Sequence, residues 1–392
     1  RAARLETGES QASFAVNRRV LKNGIWSGFG VQADGPVDRR VRLLRAVTED
    51  GQLLGAAFMY ACHCTTLGPD FNKVSADWAG LSATELERKH AGSVFLPVIG
   101  CGADANPEPR RSYDDAQKHG AEMAAAIEAA LAGKWKRLSE FPVAHFGYAG
   151  LAPEMPTRAE LEAQKADKDV ARRRWAESML AIWNKMGRLP ETYPAPIHTW
   201  QFGKELLWVF LGGEVVVDYQ IRLEKNLDAD QVWVAAYTDD VFAYVASERM
   251  RAEGGYEVDF SMVYYNQPGR WQSGTEELIE RRVKEILKEE MPDDRPRNAK
   301  AALESIRVPA GLQVELLASE PQVADPVNVS FGHDGRVWVV EMSDYPLGTP
   351  GKGRVRWLRD ADGDGRFEQS QLFLTELDYP SSAVPWRDGI IV

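Results

Sequence analysis

The sequence predicts a mixed, largely parallel α/β fold over residues 1–290, followed by an all-β segment over 301–392. Three observations carry that expectation. Residues 54–110 read as strand, polar turn, helix, strand and polar turn, and residues 206–237 repeat the order. Apolar runs joined by a helical crossover mark parallel βαβ units. Beyond the proline-rich, charged and aperiodic stretch 291–300, the pattern changes to short strands at 312–317, 327–331, 337–341, 355–358 and 372–374, separated by turn residues. That spacing fits a β-propeller blade or the edge of a sandwich.

In chain order, the polar, glycine-rich residues 1–40 predict irregular structure with few buried contacts. Residues 41–47 and 53–61 predict two strands joined by Glu49-Asp50-Gly51. The second of these ends at Cys62-His63-Cys64-Thr65, a helix is predicted over 76–90, and Val94–Ile99 opens onto the cluster 100–107. Parallel units carry ligands outside the carboxyl ends of their strands, where both polar clusters fall. The alanine-rich run 114–131 predicts a helix stopped by Gly133. A capping box at Thr157 and Glu160 predicts one long helix to Met186, closed by Gly187. Its Arg172-Arg173-Arg174 run reads as a solvated face, since acidic residues surround it.

The second unit places a buried strand at Leu206–Leu211, a turn at Gly212-Gly213-Glu214, a helix over 215–226 and a strand over 231–237. Glu214 thus falls at a strand end and at a helix N-terminus. The loop that follows holds Tyr244 and Tyr256. An amphipathic helix capped by Ser273-Gly274-Thr275-Glu276 presents Leu278, Ile279, Val283, Ile286 and Leu287.

A length of 392 residues predicts about two domains. The net charge of −11 argues against nonspecific nucleic-acid binding. No run approaches the roughly 18 uninterrupted apolar residues of a transmembrane helix. The sequence opens at Arg1 and closes inside the apolar run 389–392, so it reads as a segment of a longer protein with targeting signals outside it. Three cysteines make no disulfide framework, and buried thiols are the simpler reading.

His63, Glu214 and a tyrosine can meet at one rim of the sheet. Imidazole, carboxylate and phenolate are acceptable zinc ligands, and a catalytic zinc keeps an open position for water. The residues alone equally allow a structural histidine and a glutamate favoured by a helix dipole. Asp104 is a candidate general base or a turn former, and Asn106-Pro107 needs no more than a turn. Asp360, Asp362, Asp364 and Glu368 in DADGDGRFE resemble the first half of a calcium loop, although position 371 is Gln where an EF-hand has its final Glu.

A family resemblance rests on four motifs in order. His63-x-Thr65 followed by Ser75-x-Asp77-x-x-Gly80 and Glu85 resembles the metal-histidine segment of neutral/alkaline ceramidases. Gly212-Gly213-Glu214 resembles their Gly-Glu ligand turn, and Tyr244 with Tyr256 their tyrosine pair twelve residues apart. Ala12-Ser13-Phe14-Ala15-Val16-Asn17-Arg18 is similar to the stretch before the metal segment. The resemblance covers roughly residues 9–290. It implies His63, Glu214 and Tyr244 as zinc ligands, with Asp77 and Asn106 supporting them from behind. Tyr256 would stabilise an oxyanion. The implied reaction is amide hydrolysis of N-acylated sphingoid bases, outside the cytoplasm.

Two departures accompany it. The family's first metal histidine and its substrate-binding arginine belong to an upstream region absent here. Its serine turn appears as Gly102-Ala103-Asp104-Ala105-Asn106-Pro107, with Ala105 at the serine position. The leading expectation is a zinc-dependent amide hydrolase acting on a small-molecule or lipid amide. The alternative is an inactive ceramidase-like binding module beside a redox propeller. Pro309-Ala310-Gly311-Leu312 through Val340-Glu341-Met342-Ser343-Asp344-Tyr345-Pro346, then Asp360–Gly365, resembles the start of a membrane-bound dehydrogenase propeller, though no Cys-x-x-Cys-His occurs.

Overall fold

The computed structural model describes residues 3–289, 298–306, 308, 311–343, 351–387 and 389–392. The chain forms two compact units, Arg1–Met291 and Pro292–Val392. The stretch 291–300, expected as a linker, lies outside the described residues except for its last three.

The first unit opens with β1 (Ala3–Gln11), β2 (Ala15–Lys22), β3 (Ile25–Gln32), β4 (Arg40–Thr48) and β5 (Leu53–Tyr60). Three strands therefore occupy residues 1–40, where irregular structure was expected. Charged side chains such as Glu6 interrupt the alternation of β1, yet Glu6 accepts from Arg45 of the paired strand at 2.6 Å. Cross-strand ion pairing thus replaces the apolar pattern that a sequence reading looks for.

α1 (Asp77–Lys89), β6 (Val94–Ile99), β7 (Ala105–Pro107), α2 (Tyr113–Leu131), β8 (Lys136–Arg137) and β9 (Val143–Leu151) follow. β5 and β6 pair in parallel across α1. The predicted long helix is two, α3 (Arg158–Gln164) and α4 (Val170–Met186), because Asp169 caps a new start. Thr157 and Glu160 close the capping box, and Gly187, at φ 77°, ends α4.

The unit is completed by β10 (Tyr193–Phe202), β11 (Leu206–Leu211), β12 (Glu214–Val215), α5 (Val217–Asn226), β13 (Val232–Ala235), β14 (Tyr244–Val245), α6 (Glu248–Glu253), a π-helical turn (Tyr256–Phe260), α7 (Ser261–Tyr264) and α8 (Thr275–Ile286). One sheet has the order β6-β5-β4-β1-β8 and another β13-β11-β10-β9.

The fold is mixed α/β, but its sheets are mainly antiparallel. In the two large sheets, only β5–β6 and β11–β13 run parallel. Each of those two pairs is joined through a helix, α1 or α5, whereas the short turns of β4–β5 and β10–β11 force antiparallel pairing.

Alternating side chains arrange the layers. Met59, Phe202, Leu206, Trp208 and Trp233 form a core shared by both sheets. The outer face of the first sheet packs on α1 and α2 through Phe58, Trp78, Leu86 and Met123. That of the second packs on α5 and α8 through Val209, Tyr219, Leu223 and Val283. Each fully buried side chain of this size stabilises by roughly 1.5–3 kcal/mol.

The second unit contains α9 (Ala299–Ser305), then β15 (Pro326–Phe331), β16 (Val337–Glu341), β17 (Gly353–Arg359) and β18 (Gln369–Leu377) in an antiparallel meander. β19 (Val384–Trp386) and β20 (Gly389–Ile391) form a hairpin. The predicted strand at 312–317 is not formed. No closed barrel or ring of blades is formed among the described residues. Nor, among them, is any helix long and apolar enough to cross a membrane.

Candidate metal centre

Three chain segments deliver the site. β5 ends at Tyr60, and the turn after it carries His63, whose N–H donates to the Ala105 carbonyl at 3.1 Å. The Gly212–Gly213 turn ends β11 and starts β12 at Glu214. β12 pairs in parallel with β14 so that Glu214 stands opposite Tyr244. Gly213 is required there: its φ is 81°, and a Cβ would lie 2.8 Å from the Ala243 carbonyl oxygen.

His63 Nε2 lies 3.0 Å from Glu214 Oε2, and Tyr244 Oη lies 3.5 Å from the same nitrogen. The three implied ligands therefore converge. On its other side, His63 Nδ1 faces the Ala105 carbonyl oxygen at 3.0 Å, so Nδ1 carries the proton and donates. Nε2 then faces a carboxylate oxygen across 3.0 Å. A shared cation, either a proton or a metal ion, resolves the pair. A backbone carbonyl fixing the far nitrogen is also how metal-binding histidines are oriented. The donor set of imidazole nitrogen, carboxylate oxygen and phenol oxygen fits zinc.

Further groups enter that the sequence reading did not assign. Tyr237 Oη donates to Glu214 Oε2 at 3.2 Å and stands 3.2 Å from His63 Nε2. Tyr265 donates to Glu214 Oε1. Arg18 Nη2 donates to Tyr244 Oη at 3.2 Å, and Nη1 to Asn106 Oδ1 at 3.4 Å. An arginine of this chain thus reaches the site, although the resemblance placed the functional arginine upstream. Glu257, wholly buried, accepts from Arg18 Nε at 2.9 Å and also from Arg19. The signal for Arg18 was its place in β2, where Asn17, Arg18 and Arg19 are buried in succession. No spacing marked Tyr237 or Tyr265.

Electrostatics follow from burial and these bonds. Burial pushes the Glu214 carboxyl up, but hydrogen bonds from His63 and Tyr265 outweigh it and hold the group below its ordinary value. Burial raises the Tyr244 phenol, against the nearby Arg18 charge. The Arg18 guanidinium, though desolvated, is held charged by Glu257.

Tyr256 opens the π-helical turn, its ring 5.5 Å from that of Tyr244 and 5.9 Å from the Arg18 guanidinium carbon. It also lines a cavity of about 470 Å³ with Trp26, Arg172 and Phe260. Asp77 accepts from the N–H groups of Thr66 and Trp78 at 2.8 and 2.7 Å, and Trp78 Nε1 donates to the His63 carbonyl at 3.0 Å. Asp77 therefore braces the turn behind His63 without touching its ring. Asn106 Oδ1 accepts from Thr65 at 3.2 Å.

Asp104 stands apart from this group. It is wholly buried, and its carboxylate accepts from the Val217 N–H at the start of α5 and from Asn17 Nδ2, both at 3.0 Å. Those bonds tie it to β2 and to the start of α5. Cys62 and Cys101 are buried free thiols, whereas Cys64 is exposed. In the second unit, one carboxylate oxygen each from Asp360, Asp362, Asp364 and Glu368 falls within 4.8 Å of the others. Backbone N–H groups of Gly363 and Gly365 donate to Asp360 at 2.6 and 2.9 Å. The turn suits an oxygen-ligated cation such as calcium, and it is equally closed by these donors alone.

Comparison with known proteins adds four facts. Residues 298–392 match a domain of unknown function, DUF7133. No curated protein matches the sequence. The solved neutral ceramidase from Pseudomonas aeruginosa is similar in structure, with a TM-score of 0.54 and 14% identity, over 97% of this chain and 68% of that one. A ceramidase complexed with C2 gives 0.52 and 14%, over 97% and 69%. At that identity the likeness defines a ceramidase-like fold.

Proposed function

We propose that this chain is a zinc-dependent amide hydrolase whose metal is held by His63, Glu214 and a phenol, Tyr244 by family resemblance. The observation that carries this reading is the convergence of His63 Nε2, Glu214 Oε2 and phenol oxygens, the first two 3.0 Å apart, with the far nitrogen of the ring facing the Ala105 carbonyl. When bound, zinc supplies Lewis-acid polarisation of an amide carbonyl and activation of a water. Arg18 offers guanidinium N–H groups at the edge of the site, where they favour negative charge on a carbonyl oxygen. Tyr256 offers its hydroxyl from the wall of the adjoining cavity. Trp26 and Phe260 in that wall favour an apolar acyl or alkyl chain, which supports a lipid amide as substrate.

Ala105 favours a second reading. If a serine at this position is indispensable, the module binds amides without turnover. The meander of the second unit supports reading it as one blade of a dehydrogenase-type propeller, and the resemblance supports an extracytoplasmic location.

The test uses the full chain. Metal content is measured after dialysis, and hydrolysis is followed on N-acyl sphingosines and simpler N-acyl amines, for the wild type, His63→Ala and Glu214→Gln. One zinc per chain, with turnover lost in both variants and on chelation, supports the hydrolase. Zinc and substrate binding without turnover supports the binding module. A wild type that retains no metal overturns the metal-centre reading.

A further inference from the structure

We propose that His198 is a positioning residue for the candidate metal centre: with Tyr193 it clamps the 237–240 loop, and that loop sets the Tyr237 phenol on Glu214. This rests on the metal-site reading above. Both clamping residues stand on β10, which pairs with β11, the strand that runs into the Gly212–Gly213 turn. His198 Nε2 is 2.6 Å from Asp239 Oδ2, and since a carboxylate only accepts, that nitrogen carries the proton and donates. Tyr193 donates its hydroxyl to Asp240. Packing holds the two rings in turn. His198 lies against Phe146 of β9 with ring centroids 4.4 Å apart, and Tyr193 against Phe242 at 4.3 Å.

The backbone of the loop shows why a clamp is needed. Tyr237 at φ 61° and Asp239 at φ 63° both lie in the left-handed region, which residues other than glycine seldom occupy and a bulky aromatic least of all. Such a conformation persists where its surroundings over-determine it. Backbone bonds supply part of that restraint. Tyr237 N–H donates to the Gly213 carbonyl at 3.0 Å, Thr238 N–H to Leu211 at 3.1 Å, and Gly213 N–H to the Asp240 carbonyl at 2.7 Å. They lace the loop to the glycine turn that presents Glu214, and His198 and Tyr193 add side-chain bonds at Asp239 and Asp240. At the inner end, Tyr237 Oη donates to Glu214 Oε2 at 3.2 Å and stands 3.2 Å from His63 Nε2. Tyr237 thus orients the carboxylate as outer hydrogen-bond partners orient metal ligands. Tyr244, opposite Glu214 on β14, keeps the ligand role proposed above.

The test compares His198→Ala, His198→Gln and the double variant His198→Ala with Tyr193→Phe in the full chain. Glutamine keeps an N–H donor for Asp239. His90→Ala is the control, because His90 forms a similar pair with Glu128 at 3.0 Å. The readouts are backbone hydrogen exchange across 212–214 and 237–240, the His63 imidazole signal of the metal-free protein with isotope-labelled histidine, and zinc affinity by chelator competition. The His63 signal is assigned by its loss in His63→Ala. The double variant is expected to exchange faster in both segments, to shift the His63 signal and to weaken zinc by about 10–100-fold, the range for an outer partner. His198→Ala is expected to follow it in part, His198→Gln to restore the wild-type signal, and His90→Ala to change none of the three. Faster exchange with an unmoved His63 signal and unchanged zinc affinity overturns the positioning role and leaves the metal centre standing. So does a double variant that matches the wild type throughout. A wild type that takes up no zinc overturns both.

Discussion

Arg18 and Glu257, 239 residues apart in sequence, are joined by a 2.9 Å hydrogen bond from Nε to Oε1 in an interior almost closed to solvent. Arg19 binds the other oxygen of the same carboxylate and reaches Glu253 at 3.1 Å. One buried anion thus secures two guanidinium groups, and one of those guanidiniums touches the phenol of Tyr244.

Glu257→Gln is expected to lower unfolding stability by about 3–5 kcal/mol, since removing one member of a buried ion pair strands the opposite charge. Urea denaturation checks this. Amide turnover should fall with it, because Arg18 loses its anchor. A stability loss below about 1 kcal/mol would show that other contacts hold the two arginines.

Gly213→Ala places a Cβ 2.8 Å from the Ala243 carbonyl oxygen and 2.9 Å from Val245 Cγ2, at a φ of 81°. The left-handed backbone alone costs about 1–2 kcal/mol. Relief of the clash must move either β14 or Glu214. We therefore expect a lower melting temperature together with weaker zinc retention. Unchanged retention would mean that Glu214 is positioned without this turn.

Asp104 makes stability depend on pH. Burial pushes its carboxyl from 3.8 up to about 7. Between those values the folded chain keeps a proton that the unfolded chain has released, so this group makes stability fall as pH rises from about 4 to about 7. Asp104→Asn should flatten that descent in urea midpoints measured across the range. An equal slope in the variant would place the titration elsewhere.

Ala105→Ser tests the nucleophile. The Ala105 contribution to the site is its backbone carbonyl on His63 Nδ1, which serine also supplies. If water is the nucleophile, the rate should stay within about tenfold, or ~1.4 kcal/mol in barrier. No acyl-enzyme should appear by mass spectrometry. A large gain in rate with a trapped acyl group would instead restore a serine mechanism.

Much of the scaffold was legible because its signals are local. The runs that became β5, β6 and β11 are continuous and apolar, and the crossovers between parallel strands have helical period. Gly187 closes α4 by a conformation that glycine favours. β1 was missed because charged residues on it are satisfied by a strand some 40 residues away. Two helices form where the sequence pattern predicts one, because Asp169, an ordinary surface residue in sequence, acts as a cap only once the chain has turned.

By itself the sequence determined that His63 and Glu214 lie just beyond the ends of apolar strands, since glycine punctuation and apolar length are written in adjacent residues. It could not determine which phenol joins them. Tyr237, Tyr244, Tyr256 and Tyr265 are alike in composition and lie within one 29-residue stretch. Only the tertiary structure shows how they gather: Tyr237 and Tyr244 both reach His63 Nε2, Tyr265 donates to Glu214, and Arg18, arriving from the other end of the unit, donates to Tyr244. Ligand geometry depends on sub-ångström placement of groups distant in sequence, and that placement is set by packing rather than by local propensity.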